Sequence, residues 1–107
     1  MFAQITSFRT AMGGMDSLRD LVRLTYLPLV RVQPGYLRDY FLEQVDDPDH
    51  AQLVVVWDMQ ANYEKFRSSE ESINVDQALR RLTLRIQSEG YVARTGTAPL
   101  SAPGLVS

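Results

Sequence analysis

The run Leu53-Val54-Val55-Val56-Trp57 constrains this chain more than any other segment. β-Branched residues and an aromatic in a short apolar stretch predict a strand. Side chains on a strand point alternately to opposite faces. Leu53, Val55 and Trp57 therefore share one face, and Val54 and Val56 share the other. Both faces are apolar and both need cover. The chain has 107 residues, which fits one domain. A domain of that size can lay its own helices over one face and has little chain left for the other. The expectation is that the helices cover Leu53, Val55 and Trp57, and that a second copy of the protein covers Val54 and Val56. A small-molecule cavity is compatible with the same arrangement.

Composition narrows the function classes. Hydrophobic residues make up 45% of the chain, enough for a real core, and the formal net charge is -2. The one dense basic group, Arg80, Arg81 and Arg85, is offset by Asp76 and Glu89 and reads as a solvated helix face. No nucleic-acid partner is expected. There is no cysteine, which excludes disulfides, thiolate catalysis and cysteine-based zinc sites and fits a reducing cytosol. The chain opens on strand-like Phe2-Ala3-Gln4-Ile5, without the basic and apolar regions of a signal peptide. No apolar stretch approaches the roughly 20 residues that span a bilayer. The expectation is a cytoplasmic protein with no membrane partner.

Along the chain, residues 2–9 read as a first strand, with Phe2, Gln4, Thr6 and Phe8 on one face and Ala3, Ile5, Ser7 and Arg9 on the other. Gly13-Gly14 breaks it. A helix follows from about Met15 to Val32, capped by Asp16 or Ser17. Pro28 lies inside it and predicts a kink or an early end. After Gln33-Pro34-Gly35, a second strand runs from Tyr36 to Val45, with Tyr36 and Tyr40 sharing a face. Asp46-Asp47-Pro48-Asp49-His50 is a polar turn. The third strand spans Ala51 to Asp58. Asp58 is positioned to cap a short helix over Gln60 to Arg67. Ser68 to Glu71 form a break. Ser72 then caps a longer helix that ends near Gln87, on the stripe Val75, Leu79, Leu82 and Ile86. Gly90 ends that segment, and Tyr91 to Thr95 form a fourth strand. The domain is placed at residues 1–95. The Gly-, Pro- and Ser-rich tail, 96–107, reads as irregular or disordered.

The order β-α-β-β-α-α-β points to an α+β, ferredoxin-like fold: a four-stranded antiparallel sheet with its helices on one face.

At three places the chain resembles the antibiotic-biosynthesis-monooxygenase-type family of the dimeric α/β-barrel superfamily. The first is Gln33-Pro34-Gly35-Tyr36, entering the second strand. The second is Val54-Val55-Val56-Trp57-Asp58, the third strand closing on Trp. The last is Asn62-Tyr63-Glu64-Lys65-Phe66, on the short helix beyond. The resemblance covers roughly residues 1–95. It implies a homodimer whose sheets pack face to face into a barrel, and a cavity in each protomer between sheet and helices. Family members include cofactor-independent oxygenases that turn phenolic or anthrone-like aromatics into quinones, haem-degrading enzymes, and isomerase-type proteins.

The resemblance also implies site residues. Trp57 stands where quinone-forming members carry a pocket Trp, and Tyr63 where they carry a pocket Tyr. The position four residues before the Trp, an Asn in those members, is Leu53 here. Haem-degrading members place a ligating His about ten residues after the Trp. Here that position is Arg67, so haem degradation is disfavoured. Independently of the family, Tyr36, Tyr40, Trp57 and Leu53 could line one aromatic cavity with a few hydroxyls, or Tyr36 and Tyr40 could sit in a dimer interface. Arg9 or Arg85 could stabilise an anion. The single His50 lies in an acidic turn and cannot make a histidine-based metal cluster. No metal and no cofactor are expected.

Two functions remain. One is a monooxygenase for a small aromatic, with Trp57 and Tyr63 as catalytic residues and Tyr40, Tyr36, Arg9, Arg85 and Leu53 binding substrate. The other is a non-catalytic homodimer of the same fold that binds a small ligand or a partner protein.

Overall fold

The structure, a computed structural model, describes residues 1–94. The tail at 96–107 and Thr95 lie outside the described residues. The elements are β1 (Phe2–Arg9), α1 (Met15–Leu21), a π-helical turn (Val22–Tyr26), α2 (Leu27–Val30), β2 (Tyr36–Glu43), β3 (His50–Trp57), α3 (Gln60–Arg67), α4 (Glu70–Arg81) and β4 (Arg85–Val92). The strands form one antiparallel sheet in the order β2-β3-β1-β4. This is the expected ferredoxin-like α+β arrangement. Among the described residues, no helix is long and apolar enough to cross a membrane.

β3 alternates as its composition requires. Ala51, Leu53, Val55 and Trp57 are buried against the helices, while Val54 and Val56 stay half-buried on the open face. The core on the helix side joins Phe2 and Phe8 of β1 to Leu18, Val22 and Val30 of the first helical segment and to Phe66 and Leu79. Each such side chain, fully buried, contributes about 1.5–3 kcal/mol.

Pro28 explains the shape of the first helical segment. Its ring would clash with the carbonyl four residues back, and it has no N–H to donate. The segment widens instead of breaking: the Leu27 N–H reaches the Val22 carbonyl, five residues back, and Pro28 falls in the first turn of α2. The wider turn also suits the side chains. Leu18, Val22, Tyr26 and Val30 are all buried at four-residue intervals. A repeat of four outruns the 3.6 residues of an α-helical turn, and the π turn absorbs the drift. The regular helix ends at Val30, two residues before the expected end.

Several boundaries differ from expectation. α4 ends at Arg81 and β4 begins at Arg85, so Ile86 belongs to a strand rather than a helix. The Thr83 hydroxyl donates to the Leu79 carbonyl at 2.9 Å and closes the helix, and the Leu84 N–H then donates to the Arg9 carbonyl at 2.7 Å. Gly90 lies within β4 instead of ending a helix. The α1 N-cap is Gly14, not Asp16 or Ser17. α3 starts after Met59, and Asp58 accepts from Asn62 Nδ2 at 2.8 Å instead of capping. α4 is capped by Ser69, whose hydroxyl accepts from the Ser72 N–H. β2 stops at Glu43, two residues short of Val45.

The motif residues Gly35, Asp58 and Asn62 meet in space. Gly35 has a positive φ of 87°, and a Cβ there would collide with the side chains of Asn62 and Asp58. The Asp58 N–H donates to the Gly35 carbonyl at 2.8 Å. Glycine is required by the backbone conformation and by the close approach together.

Candidate functional site

A cavity of about 790 Å³ lies between the sheet and helices α3 and α4. Its floor is set by strand parity. The helix-facing side chains of β1 are Phe2, Gln4, Thr6 and Phe8; those of β4 are Ile86, Ser88, Gly90 and Val92. The middle of this floor is therefore polar, framed by apolar residues. Thr6 and Ser88 are direct cross-strand partners, and their hydroxyls lie 2.6 Å apart. Gln4 faces Gly90, where the absent side chain leaves room for the Phe2 ring: a Cβ would meet Phe2 Cζ at 2.6 Å.

α3 supplies Tyr63, Phe66 and Arg67 to the wall, and α4 supplies Asp76, Leu79 and Arg80. The charges pair along their own helices, Glu64 with Arg67 at 3.2 Å and Asp76 with Arg80 at 2.8 Å. Exposed pairs of this kind add little stability. They do place two guanidinium groups on the cavity wall.

Tyr63 is held by aromatic contacts. Its ring lies 5.1 Å from Phe2 and 6.0 Å from Trp57. Burial pushes its phenol up, and the Arg67 charge works against that. Tyr63 therefore stays a neutral hydrogen-bond donor at neutral pH. Leu53 also lines the cavity.

Trp57 is placed differently from a pocket residue. It is fully buried, packs on Phe66 at 5.6 Å, and does not line the cavity. It backs the wall that Tyr63 and Phe66 present. Its Nε1 and Gln4 Oε1 are the two buried side-chain polar atoms without a partner among the described residues. An unpaired buried donor or acceptor costs about 1–3 kcal/mol. Both lie on the helix side of the sheet, at or behind the cavity.

Four expected binding residues do not reach this space. Arg9 and Arg85 are cross-strand partners at odd-numbered positions, on the opposite face of the sheet from Gln4, Thr6 and Ser88. Arg9 pairs with Asp47 at 2.7 Å. Tyr36 and Tyr40 do not share a face. A bulge between Tyr36 and Arg38 shifts the register, so Tyr36 pairs with Trp57 and Tyr40 with Val54. Tyr40 is half-exposed on the open face. Tyr36 donates to Asp39, which also accepts a two-pronged contact from Arg31 at 2.8 and 2.9 Å. The Arg31 guanidinium holds the Asp39 carboxyl below the usual carboxylate range. This cluster fastens the end of α2 to the edge strand β2.

Of the expected site residues, only Tyr63 and Leu53 line the cavity; Gln4, Thr6, Ser88 and Tyr26 are among the lining residues that the sequence reading did not single out. The pattern Phe2-Gln4-Thr6-Phe8 carried a signal, because two polar residues interrupt a face that should be buried. Tyr26 was marked only by its place in the four-residue repeat of the first helical segment.

The model for the antibiotic biosynthesis monooxygenase family matches residues 1–75. The chain belongs to that family. No curated protein matches its sequence. Among solved structures, the family fold recurs in SnoaB, a cofactor-independent oxygenase from Streptomyces nogalater. Its TM-score is 0.80 at 17% identity, with 89% of this chain and 94% of that one covered. Rv0793 from Mycobacterium tuberculosis superposes with a TM-score of 0.78 at 17% identity, covering 91% and 98%. PA3566 from Pseudomonas aeruginosa gives 0.72 at 16% identity, covering 88% and 94%. At such identities the likeness speaks for the fold alone.

Proposed function

We propose that the protein is a cofactor-independent monooxygenase that oxidises a small phenolic or anthrone-like aromatic in the cavity between sheet and helices. Family membership supports the reaction class. The observation that carries the substrate class is Tyr63: a phenol on the cavity wall, held between Phe2 and Trp57, beside a polar floor. Such a site packs a flat ring and offers hydrogen bonds to its oxygens.

For an anthrone the reaction balances without an added reductant. The substrate loses a proton to form its enolate-type anion, which passes electrons to dioxygen. One oxygen atom becomes the new carbonyl at the methylene carbon. The other leaves as water with the two hydrogens of that carbon. Anthrone and dioxygen thus give anthraquinone and water. Tyr63 donates a hydrogen bond to the substrate oxygen on which the negative charge develops. Trp57 supports Tyr63 from behind. The homodimer forms through the open sheet face, where Ile5, Val54, Val56, Tyr40 and Leu42 stand together.

The test is oxygen uptake with 1,8-dihydroxy-9-anthrone, corrected for the uncatalysed rate. Wild-type protein accelerates uptake, and Tyr63→Phe lowers kcat/KM by about tenfold, the size of one hydrogen bond. Uptake no faster than in buffer defeats the reading. Leu53 favours one alternative, a non-catalytic ligand-binding homodimer, because an apolar side chain lines the cavity where quinone-forming members carry an Asn. Binding of the aromatic without oxygen uptake would select that alternative.

A further inference from the structure

Tyr26 is a phenol that the proposed chemistry does not use. It sits on the π turn, is 6% exposed, and lines the cavity. Its ring is fixed edge-on against Phe66 at 6.1 Å. Its hydroxyl makes no hydrogen bond among the described residues, yet it is not one of the atoms sealed away without a partner. The oxygen is therefore not fully sealed, although the residue is buried and lines the cavity. A buried phenol usually finds a partner. Here the unpaired donor belongs to a residue of the cavity wall.

The placement has a structural origin. Pro28 forces the wider turn at Val22–Tyr26, and that turn keeps Tyr26 on the inner face. Single π turns within α-helices recur at functional sites. Burial pushes the Tyr26 phenol up, with the nearby Asp76 carboxylate adding to the effect. The group stays protonated, a donor and not a base.

We propose that Tyr26 contacts the ligand directly and donates a hydrogen bond to a carbonyl or phenolate oxygen on an aromatic bound in this cavity. Tyr26 and Tyr63 then form a two-donor wall, and the site selects oxygenated aromatics over bare hydrocarbons of the same shape. This rests on the cavity being the ligand site, but not on the protein being an oxygenase.

The probes are 1,8-dihydroxyanthraquinone, which cannot undergo the reaction, and anthracene, which has the same ring frame without oxygens. Binding is read by quenching of the emission of Trp57, the sole tryptophan. Tyr26→Phe keeps the ring against Phe66 and removes only the donor. It weakens the quinone by about tenfold and leaves anthracene unchanged. In wild-type protein the quinone binds at least tenfold more tightly than anthracene, a comparison that needs no variant. Equal quinone affinity in wild type and Tyr26→Phe, or equal affinity of wild type for both probes, overturns the proposal. So does a wild-type protein that binds neither. Oxygen uptake with the anthrone separates the two ideas. Uptake with unaltered quinone binding in Tyr26→Phe removes the Tyr26 contact and keeps the oxygenase. Weakened quinone binding without wild-type uptake does the reverse.

Discussion

The hydroxyls of Thr6 and Ser88 lie 2.6 Å apart, joining two strands that stand 82 residues apart in sequence. Thr6 is buried, and Ser88 is the nearer of its two hydroxyl partners; the other is Gln4 Nε2 at 3.5 Å. Thr6→Val leaves the exposed Ser88 hydroxyl to water, and Ser88→Ala leaves the buried Thr6 hydroxyl with only the longer contact from Gln4 Nε2 at 3.5 Å. Each should cost about 1 kcal/mol in urea unfolding. The double variant should cost less than the sum, with a coupling of about 0.5–1.5 kcal/mol. Strict additivity would mean that the two hydroxyls do not support each other.

Gly35→Ala should be the most damaging of the small substitutions. The residue has a positive φ, and the added Cβ meets the Asn62 and Asp58 side chains. Strain of this kind costs about 1–3 kcal/mol before the collision is counted. Asn62→Ala should relieve part of the collision. A Gly35→Ala, Asn62→Ala double variant that melts no higher than Gly35→Ala alone would contradict that account.

Asp39 makes stability depend on acid. Its carboxyl is held low, first by Arg31 and then by the Tyr36 hydroxyl, against the opposing effect of burial. A lowered folded-state value gives stability that is complete above the unfolded value of about 3.9 and is lost as pH falls through the folded one. Glu43, held low by Arg19, and Asp47, held low by Arg9, act with the same sign. Wild-type protein should therefore lose stability below about pH 4. Asp39→Asn should be less stable at neutral pH and show a shallower acid limb. An identical slope in both proteins would remove Asp39 from the effect.

Trp57 and Tyr63 should separate when measured by two readouts. Trp57 is sealed behind the wall, and Tyr63 faces the cavity. Trp57→Phe removes buried volume and should destabilise by about 1–3 kcal/mol, with a small effect on ligand affinity. Tyr63→Phe keeps the ring contacts to Phe2 and Trp57 and should leave the melting temperature nearly unchanged while weakening ligand binding. The reverse pattern would place Trp57 in the site.

What could be read from the sequence follows what the residues encode locally. β3 was legible because its β-branched run defines a strand and its parity defines two faces. Tyr63 was legible as a cavity residue only through the family resemblance, which implies a pocket Tyr six residues after the Trp. The bulge in β2 was not legible: Tyr36 and Tyr40 are spaced for one face, and a shift set by tertiary pairing separates them. Ile86 was misread because its spacing from Leu79 and Leu82 suits a helix, while its pairing with Phe8 makes it a strand residue packed on the same core. Arg9 and Arg85 carry the right charge for an anion site. Only the register shows that they face away from it.

The open sheet face carries the last prediction. Val54 and Val56 are half-buried there, and Tyr40 and Leu42 are 47% and 48% exposed. These residues share one face across β2 and β3, and Ile5 of β1 continues it. An apolar face of this kind favours association with a like surface. A twofold dimer would bury the same residues on both copies. Light scattering at micromolar concentration should give about twice the 12.2 kDa mass of one chain. Val54→Lys places a charge at the centre of that face without touching the helix-side core, so it should shift the protein towards monomer while the secondary structure persists. A wild-type monomer at that concentration would contradict the sheet-to-sheet pairing. An unchanged dimer in Val54→Lys would move the interface elsewhere on the molecule.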